Sequence, residues 1–179
     1  MEFSYIIIPS SRRMLLEKSV KLNDTPLLPA YRRYQGVTMN ILGKDMEDES
    51  FSKNISKVLF LSPIYGLINS DTRIPNYREK IGTGNKLEIN SLKKQIKNAI
   101  KLESQYLFFS TLQWYPIIKE FDNITRVSLS RSGRRLNGHE SKVYKGLIVK
   151  DLMLHNRIDM ELLGKIESTY NLEFIFGDK

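Results

Sequence analysis

Two clusters of cationic and phenolic residues in this sequence have the chemistry of anion recognition. The first follows the apolar run KVLFLS. Within LSPIYGLINSDTRIPNYREKIG, residues 61–82, Tyr65, Asp71, Arg73, Tyr77 and Arg78 stand among turn residues. A guanidinium can grip a pair of anionic oxygens with two parallel hydrogen bonds, and a tyrosine can stack and donate one more. Arg73, Tyr77 and Arg78 therefore suit a phosphate, a carboxylate or a base. The competing reading is a solvated loop with Tyr77 packed beneath it. The second cluster is RSGRRLNGHESKVYKGLIVK, where Arg131, Arg134, Arg135, Lys142, Lys145 and Lys150 are opposed only by Glu140. Lys142 and Lys145, three apart at a helix start, are expected to share a face, with Lys150 well round the helix from them. Such a basic arc beside glycine amides favours phosphates. Lysines at a helix amino end oppose the macrodipole, a local cost that points to function as much as to surface drift.

Other chemistries find little support. His139 and His155 are the two histidines, and neither stands in a metal-binding spacing, so no metal site is expected. GTGN, residues 82–85, lacks the lysine and Ser/Thr that complete a phosphate-binding loop and reads as a turn. Ser10, Ser11, Ser62 and Ser110 fall near strand ends, but no Gly-x-Ser-x-Gly elbow surrounds them, which argues against a serine hydrolase. The absence of cysteine excludes disulfides, thiolate zinc sites and cysteine nucleophiles. No cofactor is implied.

The elements that must position these residues follow from periodicity. FSYIIIP (3–9), KVLFLS (57–62), YLFFST (106–111) and ITRVSLS (124–130) read as strands, and YNLEFIFG (170–177) alternates like an antiparallel or edge strand. PAYRRYQGVTMNILG (29–43) reads as a helix interrupted at Gly36. LEINSLKKQIKNAIKLESQ is an amphipathic helix, WYPIIKEF (114–121) a short helix broken near Pro116, residues 141–156 a helix, and MELLGKIES from Met160 another. DMEDES (45–50) and RSGRRLNGHE (131–140) read as loops. Strands alternating with helices predict an α/β fold, a single domain over residues 1–179 with a mixed β-sheet flanked by helices. Ligands are then expected at the carboxyl ends of the strands. A chain of 179 residues with 41% hydrophobic and 27% charged residues is long enough for a sizeable core, and no linker divides it.

The 28 Lys and Arg against 20 Asp and Glu give a net charge of +8, which favours acidic partners. The amino-terminal apolar run precedes its arginines and is too short to span a bilayer, so a cytoplasmic protein without membrane contact is expected.

Four segments in order, IIIPSSRR, RRYQGV (32–37), LSPIYGLINSDTRIPNYREKIG and KVYKGLIVK (142–150), resemble the motifs of the YaaA family of bacterial peroxide-stress proteins. The third is the most specific, with Leu61, Ser62, Tyr65, Gly66, Leu67, Ile68, Ile74, Tyr77, Arg78 and Gly82 in place. The chain is shorter than that family, chiefly between Ser11 and Pro29. Ser70 stands where the family has proline, Asp71 falls one position before the family aspartate, and Arg12 replaces the usual residue after the first turn. The resemblance implies an α/β fold with a basic cleft lined by Arg33, Tyr65, Tyr77, Arg78, Lys142 and Lys145. It also implies DNA binding, in preference to RNA, in protection against peroxide.

Two functional classes stay open. One is a nucleic-acid-binding protein that grips the phosphate backbone with residues 131–150 and stacks Tyr77 or Trp114 on an unpaired base. The other is an enzyme acting on a nucleotide, nucleobase or other small anionic substrate, with Tyr65 or Lys142 as the acid or base. A scaffold whose basic face meets a partner protein is a third possibility.

Overall fold

The computed structural model describes residues 1–10, 13–14, 26–43, 53–75, 86–109, 114–155 and 157–177. Four apolar runs form its parallel centre: β2 (Tyr5–Pro9), β6 (Val58–Ser62), β9 (Tyr106–Phe109) and β10 (Ile124–Arg131). They belong to a seven-stranded mixed sheet in the order β11-β10-β9-β2-β6-β7, with β13 also paired to β10. Its antiparallel members are β7 (Gly66–Asn69), β11 (Arg134–Arg135) and β13 (Glu173–Phe176). The expected α/β architecture with a mixed sheet is thus present.

Side chains on successive strand residues point to opposite faces, so each buried strand feeds two cores. Ile6, Ile8, Val58, Phe60, Leu107, Phe109, Val127 and Leu129 pack on one face. They meet Met39 and Leu42 of helix α2 (Val37–Gly43), Ile148, Val149 and Leu152 of α5 (Gly138–Met153), and Leu163 and Ile166 of α6 (Met160–Tyr170). Ile7, Leu59, Leu61, Tyr106, Phe108 and Ile124 face the other way. There they meet Leu92 and Ile96 of α3 (Lys86–Ala99), and Ile117 and Ile118 of α4 (Tyr115–Ile118).

In chain order the parallel strands are β2, β6, β9 and β10, and in space they lie β6, β2, β9, β10. The chain winds outward from β2 to β6, then returns across β2 to start β9. The winding thus reverses between β2 and β9, and the crevice expected beyond their carboxyl ends is the position where open α/β sheets hold ligands.

Several elements differ from expectation for identifiable reasons. The 29–43 segment is not one interrupted helix. α1 (Ala30–Arg33) ends where Tyr34–Gln35 forms the short β5, paired antiparallel with Arg13–Met14 (β3), and Gly36 has φ 139°. That positive φ breaks the helix, and the partner strand lies outside any local sequence pattern. The first strand is likewise two, Glu2–Phe3 (β1) pairing Ile158–Asp159 (β12) before β2 begins. Residues 131–135, expected as a loop, form a tight hairpin: Ser132 and Gly133 both have positive φ (49° and 74°), the pair needed for a two-residue turn that matches strand twist. The acidic stretch 45–50 and the turn 82–85 lie outside the described residues.

Candidate functional site

Pairing register determines what stands at the crevice. β10 pairs β9 over Ile124 to Val127 and pairs β13 over Val127 to Ser130. Ser130 is opposite Glu173 on β13 and also opposite Arg135 on β11. Because β13 fills one edge of β10 there, β11 must lie on the edge that β9 occupies lower down. The Leu136 amide continues this track by donating to the Leu129 carbonyl (2.8 Å). The hairpin therefore carries exposed Arg134 and Arg135 to the mouth of the crevice, directly beyond the end of β9.

Arg126 enters from one layer. It alternates with Ile124 and so projects to the face covered by α3 and α4, where its guanidinium stacks over Tyr115 at 4.9 Å from the ring centroid. Tyr115 begins α4, immediately after the segment that leaves the carboxyl end of β9. Ser128 and Ser130, both buried, continue the same row along β10.

Lys145 comes from the other layer. α5 starts at the carboxyl edge of β10 and runs back across the sheet, and its buried residues Ser141, Lys145, Ile148 and Leu152 repeat every three or four positions. Lys145 therefore belongs to the apolar stripe, one turn towards the crevice from Ile148. It is only 8% exposed. Its ammonium is held down to a pKa of about 8, by burial first and then by Lys142 and Arg126. Arg126, on the other face of the sheet, is the smallest of these three influences.

The crossing of α2 with α5 locks this geometry. A Cβ on Gly146 would come within 2.9 Å of Ile41 Cβ, so the glycine permits the two helices to approach, and Thr38 Oγ1 donates to the Lys142 carbonyl (2.9 Å).

The other anticipated residues fall elsewhere. Arg33 is fully buried; its guanidinium donates to the carbonyls of Pro26 and Ile74. Arg73 is exposed and donates weakly to the Leu27 carbonyl (3.5 Å). It begins β8 (Arg73–Ile74), which pairs with Leu28–Pro29 (β4). β7 runs antiparallel to β6, with Asn69 opposite Leu59, so β8 follows on the amino-edge side, away from the crevice. The Ala30 and Tyr31 amides donate to the Thr72 and Ser70 carbonyls, so the turn at residues 70–72 seats the start of α1.

Arg131 is also engaged. It bonds the carbonyls of Tyr170 and Asn171, the Glu140 carboxylate and the Tyr144 hydroxyl, and stacks on the Tyr144 ring at 4.7 Å. Lys142 and Lys145 lie three residues apart on α5 but differ in burial, Lys142 being exposed and Lys145 buried. Lys150 is half-buried, five residues and about 7.5 Å along the helix axis from Lys145. Tyr65 is 36% exposed in the turn after β6, whose Ile64 and Tyr65 amides both donate to the buried Ser62 hydroxyl. Tyr77 and Arg78 lie outside the described residues, as do Ser11 and Ser110.

The structure thus sets Lys142 and Lys145 one turn apart on α5, with Arg134 and Arg135 beyond the end of β9 and Arg126 opposite Phe108 on the other face of the sheet. Arg126 was missed in the sequence, although a charged residue in line with Ile124 on a buried strand is its signature. Among the described residues no cluster of three or more His, Asp or Glu could hold a metal ion, and no helix is long and apolar enough to cross a membrane. A groove of about 500 Å³, lined in part by Lys93, Lys97, Leu102 and Phe121, lies at the amino edge of β9 and β10. It is remote from the crevice, and strand topology favours the carboxyl edge for ligands. The chain matches no protein-family profile and no curated protein.

Proposed function

We propose that this protein binds a small anionic ligand, with nucleotides the leading class, in the crevice beyond β2 and β9, and that it is an enzyme acting on that ligand. One observation carries the reading: Lys145 is buried in the sheet-facing stripe of α5 beside the exposed Lys142, and Arg126 stands opposite Phe108 near the carboxyl end of β9, the strand next to the reversal of winding. Holding like charges together in a partly dry site costs free energy, and a phosphate or carboxylate between them offsets that cost. Ser128, buried on the same row as Arg126, supplies a hydroxyl for orientation.

The experiment is thermal unfolding with inorganic phosphate, nucleoside monophosphates and nucleobases. A ligand at about 100 times its Kd adds about 2.7 kcal/mol, which raises Tm by roughly 5–10 °C for a chain of this size. A saturable rise with a phosphate-bearing ligand, lost in Arg126→Gln, is the expected result. Equal stabilisation of Arg126→Gln and wild type, or none by any ligand, defeats the proposal.

A second reading draws on the exposed pair Arg134 and Arg135 at the end of the hairpin. They could grip the backbone of DNA outside the crevice, the function that resemblance to the peroxide-stress family implies. Charge reversal of both, measured by DNA binding at fixed salt, is its test; unchanged affinity removes it.

A further inference from the structure

We infer that Asn137 is a self-modification site: it converts spontaneously to aspartate and isoaspartate, and the new carboxylate weakens binding of DNA beside Arg134 and Arg135. The conversion stands on its own geometry, and only its effect on binding rests on the second reading above.

Sequence and position both favour the reaction. Asn137 is the sole asparagine of the chain that is followed by glycine. Glycine has no Cβ to shield its backbone nitrogen, so that nitrogen can approach the carbonyl carbon of the preceding side chain. Asn137 and Gly138 are both exposed, and a Cβ built on Gly138 would meet no atom within 4 Å. Asn137 stands at the amino cap of α5 with φ −135° and ψ 175°, yet its side chain makes no capping bond. The Gly138 amide is among the first of the helix, which have no acceptor within it. Rotation about the Asn137 backbone is restrained by the Ser141 amide, which donates to the Asn137 carbonyl (3.2 Å), a bond of the kind that frays at a helix end.

Other asparagines are held differently. Asn54 is buried and donates to the Met153 carbonyl, and Asn123 donates to the carbonyls of Lys101 and Ser104. Asn98 is exposed but lies within α3, where its backbone is fixed in the helix.

The step balances with water as its only co-reactant. The deprotonated Gly138 nitrogen attacks Cγ of Asn137, and the side-chain nitrogen leaves as ammonia, which closes a succinimide ring. Water then opens one of the two ring carbonyls, to give aspartate, or isoaspartate with the main chain rerouted through Cγ. An amide has been exchanged for a carboxylate, so the net charge falls by one from +8. Arg134, Arg135 and Lys142 flank the new charge along the chain.

The full chain is aged in warm, mildly alkaline buffer, peptide mapping by mass follows each asparagine, and isoaspartyl methyltransferase labels the rerouted product. Asn137 is expected to convert several-fold faster than Asn98, at a rate within a few-fold of that in the urea-unfolded chain. Conversion no faster than at Asn98, or protection by folding as strong as at Asn123, overturns the site. Asn137→Asp supplies the product directly, and Asn137→Ser, which keeps a good amino cap, is the uncharged control. If the carboxylate cancels one of three phosphate contacts, the affinity of Asn137→Asp for duplex DNA falls roughly 12-fold between about 50 and 200 mM salt, against roughly 40-fold for Asn137→Ser, and is the weaker of the two at low salt. Equal affinity and equal salt dependence in the two variants overturn the effect on binding and leave the conversion standing. Loss of the DNA reading itself shows separately, as unchanged affinity when Arg134 and Arg135 are reversed in charge.

Discussion

Two buried cations in this chain, Arg33 and Lys145, differ in what their replacement is expected to do. Arg33 is wrapped by main-chain oxygens from Pro26 and Ile74, so its charge helps to close the segment before α1 onto β8. Arg33→Leu leaves buried carbonyls without their donor and is expected to lower stability by about 2–4 kcal/mol, read by urea unfolding. Lys145, by contrast, is pushed down to a pKa of about 8 by burial and by two neighbouring cations. Its folded-state pKa lies below its unfolded value, so between about pH 8 and 10.5 the unfolded chain binds more protons and stability rises with pH. Below pH 8 the full penalty stands, on the order of 3 kcal/mol. Lys145→Met is therefore expected to stabilise the ligand-free protein by about 1–3 kcal/mol at pH 7, and to flatten the rise in stability above pH 8. Destabilisation at pH 7 would mark Lys145 as a structural lysine. Replacing one buried cation should thus weaken the fold and replacing the other strengthen it, with ligand binding lost in the second case.

At the scale of elements, the proposed site depends on a helix crossing more than on any loop. Gly146 lets α5 approach α2 so closely that a Cβ would sit 2.9–3.1 Å from three Ile41 carbons. Gly146→Val is expected to cost about 1–3 kcal/mol through overpacking and, by shifting α5, to weaken phosphate-dependent stabilisation as well. Pairing it with Ile41→Ala should recover much of both, which a double-mutant cycle would measure. Much of this frame was legible in the sequence, because the runs at 58–62 and 106–109 bury every residue and the helix at 86–99 repeats its apolar positions. What was illegible is non-local. β5 exists only because Tyr34 and Gln35 meet Met14 and Arg13, and a helical pattern through Gly36 conceals it. Lys145 was singled out for its spacing from Lys142, whereas its phase with Ile148 and Leu152 is what sets its burial. The loop after β6 looked like one polar grip, but β7 intervenes and sends Arg73 to the opposite edge from Tyr65.

Across the whole molecule, the net charge of +8 attracts any polyanion, so binding of DNA alone would discriminate poorly between a DNA-binding surface and a small-ligand crevice. Salt dependence does discriminate. A surface that uses Arg134, Arg135 and Lys142 on three backbone phosphates of duplex DNA releases their counterions, giving a slope of log K against log salt of about −2.7, or roughly a 40-fold loss of affinity between about 50 and 200 mM. A nucleotide enclosed between Lys145 and Arg126 has no condensed counterions to release, and a partly buried ion pair is screened much less than an exposed one. Its affinity is expected to fall only a few-fold over the same range. Titrating both ligands against the wild-type chain at four salt concentrations compares the two directly. The crevice reading requires that the nucleotide overtake DNA as salt rises towards about 0.15 M, where long-range attraction is confined to about 8 Å. If DNA keeps the tighter binding there and nucleotide is released just as steeply, the cations act as a surface field, and the proposed crevice by Lys145 and Arg126 is not a ligand site.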